Sequence, residues 1–235
     1  MTFTNNRQFL QNVLPQPLKD KMKRVITRFF EIIVGLVLFI ISLPLFIVAS
    51  IIVLVDSPGP LLLKQKRVGK DGKVFRLYKL RTMKKGANGN WPMHTQVNDP
   101  RFSPICRVIR STCFDEIPQF LNIIKGDMTF IGPRPERPPI VEAYTDRQRD
   151  ILNFTPGLFG ISQLVFREGV VVSEKIDVEL KYYENRTIFG DIKILLYTPI
   201  VLLAHIAGKV RPDKYATNHK HVWLEKAILG QRTAM

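Results

Sequence analysis

Asp115 and Glu116 stand side by side in Thr112-Cys-Phe-Asp115-Glu116-Ile-Pro118-Gln119, two carboxylates just ahead of a proline. Proline is tolerated only in a helix's first turn, so Pro118 predicts a helix start within a few residues before it. Asp115 is then expected at or near the N-cap and Glu116 in the first turn. Both would meet free N–H groups and a partial positive charge, the features that also bind phosphate. Asp at a cap and Glu in a first turn are equally ordinary helix-starting residues, so the pair alone also fits a purely structural role.

A second group supplies cations. In Gly126-Asp-Met-Thr-Phe-Ile-Gly132-Pro133-Arg134-Pro135-Glu136-Arg137-Pro138, prolines on both sides hold Arg134 with little conformational freedom. A planar guanidinium held rigidly suits bidentate phosphate recognition. Upstream, Phe75, Leu77, Lys79 and Arg81 share one face of an alternating stretch. Two apolar residues followed by two cations predict a strand whose far end enters a charged site. A solvated edge strand protected by Lys and Arg is the competing reading. Carboxylates beside clustered cations suit phosphoryl transfer.

The elements that must position these groups can be read around them. Leu61–Val68 and Lys73–Arg81 are strand-like, and Gly69-Lys-Asp-Gly72 between them predicts a β-hairpin. Residues 84–104 form a long loop, of the kind that tends to be functional. Helices are expected from Ile105, over Glu116–Ile124 up to Gly126, and over Val141–Leu152, Asp177–Tyr183 and Asp191–Ala207. Ile131–Pro139 is expected to be stiff and extended. Residues 194–207 are apolar but too few to span a bilayer, so an interfacial or buried helix is expected there.

Ile32–Val55 is a run of 24 uncharged, almost wholly apolar residues, long enough to cross a hydrocarbon core of about 30 Å. Lys19, Lys21, Lys23, Arg24 and Arg28 precede it; Lys64, Lys66, Arg67 and Lys70 follow it. Basic flanks mark the cytoplasmic side, and here both ends are marked. Pro44 in Ser42-Leu-Pro44 removes a backbone hydrogen bond, and Ser42 can partly satisfy the freed carbonyls. A re-entrant helix-hairpin broken at Ser42 and Pro44 is therefore expected, with an ordinary kinked anchor as the alternative. The run is too long and starts too late for a signal peptide.

The 235 residues, with about 30 at the membrane, suffice for one compact domain. Thirty-five Lys and Arg against 20 Asp and Glu attract anionic lipid or phosphate-bearing substrates. No motif supports nucleic acid as a partner. Cys106 and Cys113 belong to no metal or redox pattern and suit a reducing compartment. His94, His205, His219 and His221 are scattered. The expected organisation is a flexible basic segment over 1–22, a membrane hairpin over 23–57, a catalytic domain over 58–207 and a basic tail over 208–235. The fold class is mixed α/β, a small cytosolic domain with a β-hairpin and amphipathic interfacial helices.

Together these motifs resemble the bacterial sugar transferase family, the monotopic phosphoglycosyl transferases, from about Lys23 to Leu203. The likeness rests on Ser42-Leu-Pro44, Ser57-Pro-Gly-Pro60, Lys66-Arg67-Val-Gly69-Lys-Asp-Gly72-Lys-Val-Phe75 and Tyr78-Lys79-Leu-Arg81-Thr82-Met83. It continues through Asn98-Asp-Pro-Arg101, Asp115-Glu116-Ile-Pro118-Gln119, Asn122, Gly126-Asp-Met128, Gly132–Pro138 and Pro156-Gly157.

The resemblance implies transfer of a sugar-1-phosphate from a nucleoside diphosphate sugar, usually a UDP-sugar, to polyprenyl phosphate such as undecaprenyl phosphate. That reaction initiates surface glycans, on the cytoplasmic face of the bacterial inner membrane. It implies Asp115 as nucleophile, Glu116 with Asp115 as Mg²⁺ ligands, and Arg110 and Arg134 as phosphate-binding residues. Lys79, Arg81, Arg137 and Gln163 are further substrate-binding candidates. Membrane lipid, downstream glycosyltransferases and a second copy of the chain are the other partners it allows. A catalytically silent membrane scaffold is the alternative function.

The chain also departs from the family pattern. Cys113-Phe114 replaces Ser-Leu. Leu158-Phe-Gly160-Ile-Ser162-Gln163-Leu-Val165-Phe stands for Ile-Thr-Gly-Trp-Ala-Gln-Val-Asn-Gly, and Glu179-Leu-Lys181-Tyr182 for Asp-Leu-Tyr-Tyr.

Overall fold

The computed structural model describes residues 15–84, 100–166, 172–206 and 227–229. The expected flexible N-terminal stretch before residue 15, most of the long loop and most of the basic tail lie outside the described residues. So do His94, His219 and His221.

Helix α1 (Gln16–Asp56) is 41 residues long and begins with Pro17 in its first turn, where the missing N–H costs nothing. It is the one helix among the described residues long and apolar enough to cross a membrane by length and composition. Most of its apolar side chains are exposed, among them Ile40, Ile41, Leu45 and Ile47. The break expected at Ser42 and Pro44 is not found: helical backbone continues through Pro44, since one missing N–H removes a single bond of the ladder. The Ser42 hydroxyl donates to Phe39 O at 3.0 Å, a back-bond that bends helices, beside the Ile40 carbonyl that Pro44 leaves without its N–H.

Both ends of the apolar run touch the rest of the chain. Arg28 donates to Ile124 O at 2.7 Å, the Thr129 hydroxyl donates to Glu31, and Gly35 faces Ile123, Ile124 and Phe130. At the far end, Ala49 and Val53 pack with Leu80, Cys106 and Ile109, and the Cys106 thiol lies 3.5 Å from Asp56 Oδ2.

Strands β1 (Leu62–Val68) and β2 (Val74–Leu80) pair antiparallel, with Leu62 opposite Leu80 and Val68 opposite Val74. This is the hairpin expected from the Asp-Gly signal; Asp71 and Gly72 take the positive φ that the turn requires. Helix α2 (Pro104–Ser111) is capped by Ser103, whose hydroxyl accepts the Cys106 N–H. A 3₁₀ segment, Phe114–Gln119, leads into α3 (Phe120–Lys125), which ends at Gly126. The buried Asn122 fastens α3 to the hairpin: it accepts the Tyr78 N–H at 3.0 Å and donates to Arg76 O at 2.8 Å.

Sequence periodicity did not reveal the second sheet, in which β3 (Thr129–Ile131) pairs parallel with β4 (Gly157–Phe159). It depends on two glycines in back-to-back contact. A Cβ on Gly157 would lie 2.0 Å from Gly132 N, and one on Gly132 would lie 2.3 Å from Thr155 O. The helix expected over Val141–Leu152 is instead broken. Helix α4 (Pro138–Glu142) stops, and Thr145 opens α5 (Asp146–Arg149) with a capping box to Gln148.

Helices α6 (Ile161–Val165), α7 (Val172–Glu184) and α8 (Ile188–Ile206) follow. The largest core joins Ile161, Val165, Ile176, Leu180 and Ile194, all nearly inaccessible. Helix α8 buries Ile194 in that core, while Ile188, Phe189, Leu196, Ile200 and Leu203 remain exposed. At 19 residues this helix is longer than the apolar stretch expected from sequence, and its uncovered apolar face suits the interfacial placement expected for it.

Candidate active site

Cys113, at φ 59°, starts the 3₁₀ segment without a side-chain cap, so Asp115 lies inside the first turn and not at the N-cap. Pro118 explains the form of this turn. It has no N–H to return to Phe114 O, so the backbone tightens before α3 begins. Asp115 is buried, 1% exposed, and Glu116 is nearly so.

Lys79 near the end of β2 reaches both acids. Its Nζ stands 2.8 Å from Asp115 Oδ2 and 3.1 Å from Glu116 Oε1. Arg134 Nη2 lies 3.3 Å from the same Glu116 oxygen. The two neighbouring carboxylates are thereby set apart. For Glu116, burial opposes ionisation, but the charges of Lys79 and Arg134 and their hydrogen bonds overcome it and hold the group down at about 2. For Asp115, burial prevails and raises the carboxyl above its ordinary range; Lys79 pulls it back and Glu116 adds to the rise.

More cations crowd round the pair. Arg110 lies over the Phe102 ring, 5.1 Å from its centroid, and its charge is felt at Asp115. Arg67 of β1 donates to Pro135 O at 2.8 Å and to Glu136 Oε2 at 3.3 Å. Burial, then the charge of Arg134, lower the Arg67 guanidinium to about 10, still protonated at neutral pH. The positive charge of Arg137 also bears on Arg67. Positive groups gathered at this density suit a ligand of several negative charges.

Of the residues expected from sequence, Asp115, Glu116, Lys79 and Arg134 meet directly, and Arg110 is electrostatically linked to them. Two others are engaged elsewhere. The Arg81 guanidinium donates to Ser57 O, fastening the turn that follows α1; β2 ends at Leu80, so the alternation that aims Lys79 no longer governs it. Gln163 Oε1 accepts the Gly160 N–H at 2.8 Å and caps α6. Arg137 is the N-cap residue of α4. In the sequence Arg67 stands as flanking charge, and its one other signal is its place in the Lys66–Gly69 motif.

Among the described residues no set of three His, Cys, Asp or Glu side chains could hold a metal alone. Mg²⁺ is usually held by one or two carboxylates together with substrate phosphates and water. The hard oxygen donors of Asp115 and Glu116 fit that use.

A buried carboxylate pair faced by Lys79 and Arg134 thus sits on a domain tied to a long apolar helix. The chain belongs to the bacterial sugar transferase family, whose pattern it matches over residues 22–205. It is 42% identical over 156 residues to the "Putative undecaprenyl-phosphate N-acetylgalactosaminyl 1-phosphate transferase" of Bacillus subtilis (strain 168), covering 65% of this chain and 86% of that protein. It is 32% identical over 218 residues to the undecaprenyl-phosphate galactose phosphotransferase of Salmonella typhimurium, covering 86% of this chain and 46% of that protein. The UDP-glucose:undecaprenyl-phosphate glucose-1-phosphate transferase of Caulobacter vibrioides is 31% identical over 198 residues, 81% of this chain and 73% of that protein.

Proposed function

We propose that this chain transfers a sugar-1-phosphate from a UDP-sugar to undecaprenyl phosphate through a covalent intermediate on Asp115, the first step of a surface glycan. The observation that carries this reading is the bridging of Asp115 and Glu116 by Lys79, with Arg134 on Glu116. Relatives named for the same type of transfer support it.

In the first half-reaction an Asp115 oxygen attacks the sugar-bearing phosphorus. The bond from that phosphorus to the bridging oxygen breaks, and UMP leaves with the electron pair. In the second, a phosphate oxygen of the polyprenyl carrier attacks the same phosphorus and frees the Asp115 carboxylate. Polyprenyl diphosphate sugar is the product. A carboxylate is a weak nucleophile, so the surrounding cations must neutralise the diphosphate and the leaving UMP. Lys79 holds Asp115 in place, and Arg134 and Arg110 take the phosphate oxygens. Mg²⁺, held by Glu116 and Asp115 with the diphosphate, would supply further charge neutralisation.

The apolar run is read as re-entrant, with both ends on the cytoplasmic face of the inner membrane. Support comes from the contacts of one domain with Arg28 before the run and with Asp56 after it. A straight crossing would put those residues, about 42 Å apart along a helix, on opposite sides of the bilayer. Labelling Thr2→Cys and Asp71→Cys in a background lacking Cys106 and Cys113 tests this. Protection of both from an external reagent is expected; labelling on opposite sides would restore the spanning anchor.

The reaction is tested by incubating detergent-solubilised protein with Mg²⁺, undecaprenyl phosphate and a panel of UDP-sugars beside Asp115→Asn. Asp115-dependent UMP release from one donor is expected. Its absence from every donor would favour the silent scaffold.

A further inference from the structure

Glu179 on α7 is a second buried carboxylate, 3% exposed, separate from the catalytic pair. Its Oε1 accepts the backbone N–H of Arg134 at 3.1 Å and the hydroxyl of Ser162 on α6. Gly160 comes so close that an added Cβ would lie 3.2 Å from the same oxygen. At the next residue of the proline-rich segment, Arg67 holds Pro135 O at 2.8 Å. The backbone that carries Arg134 is thus fixed from α7 and from β1, while its guanidinium meets Glu116.

Ser162 on α6 and Glu179 on α7 thus meet across two helices of the largest core, and their bond ends at the backbone of Arg134.

Resting on the function proposed above, we infer that Glu179 is a positioning residue: its ionised carboxylate, steadied by Ser162, sets the backbone of Arg134 and so the place where that guanidinium meets Glu116 and the diphosphate. A charge-assisted bond to a backbone N–H is stronger than a neutral one and holds a rigid segment more tightly.

Several groups face this carboxylate. Burial and the charge of Glu136 oppose its ionisation; Ser162, the Arg134 N–H and the Arg134 charge favour it; Tyr144 and Tyr183 complete the titratable surroundings. The result is a carboxyl raised to about 7. Because the folded value lies above the ordinary one, the folded state favours the protonated form. The associated stability is full below about 4.5 and is lost as pH rises through about 7.

The test uses Glu179→Gln in the full chain. We expect UMP release to fall about tenfold or more, with a higher KM for the nucleotide sugar, while Tm at pH 8 stays level or rises. In an Arg134→Ala background the same substitution should cost nothing further. The backbone amide of Arg134, followed by NMR in ¹⁵N-arginine-labelled protein, should titrate near neutral pH and lose that step in Glu179→Gln. An equal loss in both backgrounds, unchanged turnover with a lowered Tm, or an Arg134 amide with no such step would overturn the proposal. Should Glu179→Gln not fold, Ser162→Ala takes its place: a smaller loss that vanishes beside Arg134→Ala is expected, and one that persists overturns it. Wild-type protein that releases no UMP would bring down the functional reading and this role with it. The amide titration would still tell whether Glu179 holds Arg134.

Discussion

Lys79 Nζ lies 2.8 Å from Oδ2 of Asp115, so the proposed nucleophile is paired with a cation from the neighbouring β-hairpin. The same ammonium reaches Glu116, so Lys79 contacts both members of the acidic pair. The hairpin's register therefore bears directly on the chemistry. A slip of one residue would turn Lys79 away and present Tyr78 or Leu80.

Lys79→Met should remove that cation and leave two acids together in a buried place. Breaking such a buried pair costs about 3–5 kcal/mol, visible as a lowered Tm. UMP release should fall at least about a hundredfold, with Lys79→Arg recovering part of it. Thermal melts and turnover on the same preparations check both effects.

The two acids should separate in their pH behaviour. Glu116 is held at about 2 in the fold against an ordinary 4.5. Its folded value is depressed, so its contribution to stability is present above about 4.5 and lost as pH falls through about 2. The stability gap between wild type and Glu116→Gln should accordingly narrow across that window in acid denaturation curves. Asp115 is shifted the other way, and its reaction needs the ionised form. Turnover should therefore rise with pH through a midpoint above the ordinary aspartate range.

Asn122 should matter for stability more than its distance from the chemistry suggests. Asn122→Ala would leave the part-buried Tyr78 N–H and Arg76 carbonyl without their partner, at about 1 kcal/mol for each bond lost. The hairpin also loses its tie to α3. Urea unfolding should register a lower midpoint, and turnover should fall in parallel as Lys79 is displaced.

Gly157→Ala should be among the most damaging small changes. Its methyl would come within 2.0 Å of Gly132 N, a backbone atom that cannot move without parting β3 from β4. Loss of about 3 kcal/mol or more, or failure to fold, is the expected result. Because Gly132 leads into Pro133 and Arg134, any folded product should also bind nucleotide sugar poorly.

Much of this was legible in the chain itself. Alternation and Asp-Gly identify the hairpin, and alternation also aims Lys79. Pro118 places the acids at a helix start, and Pro133 and Pro135 mark Arg134 as rigid. What escaped depends on long-range contact. Strands β3 and β4 are three residues each, too short for a period of two to register. The partners of Gln163 and Arg81, Gly160 N and Ser57 O, come into view only in the fold. The break before α5 was signalled by Thr145 and Gln148, which have the spacing of a capping box. That Glu179 meets Ser162, 17 residues away in the chain, needs the fold.

The covalent step is the centre of the account, and intact-protein mass spectrometry tests it most directly. Wild-type and Asp115→Asn protein would be mixed with Mg²⁺ and the UDP-sugar that supports UMP release, with polyprenyl phosphate left out. Wild type should gain the mass of one sugar phosphate, carried on the peptide containing Asp115, alongside a burst of about one UMP per site, and undecaprenyl phosphate should discharge it. Turnover with no adduct, an adduct on another residue, or normal turnover by Asp115→Asn would contradict it.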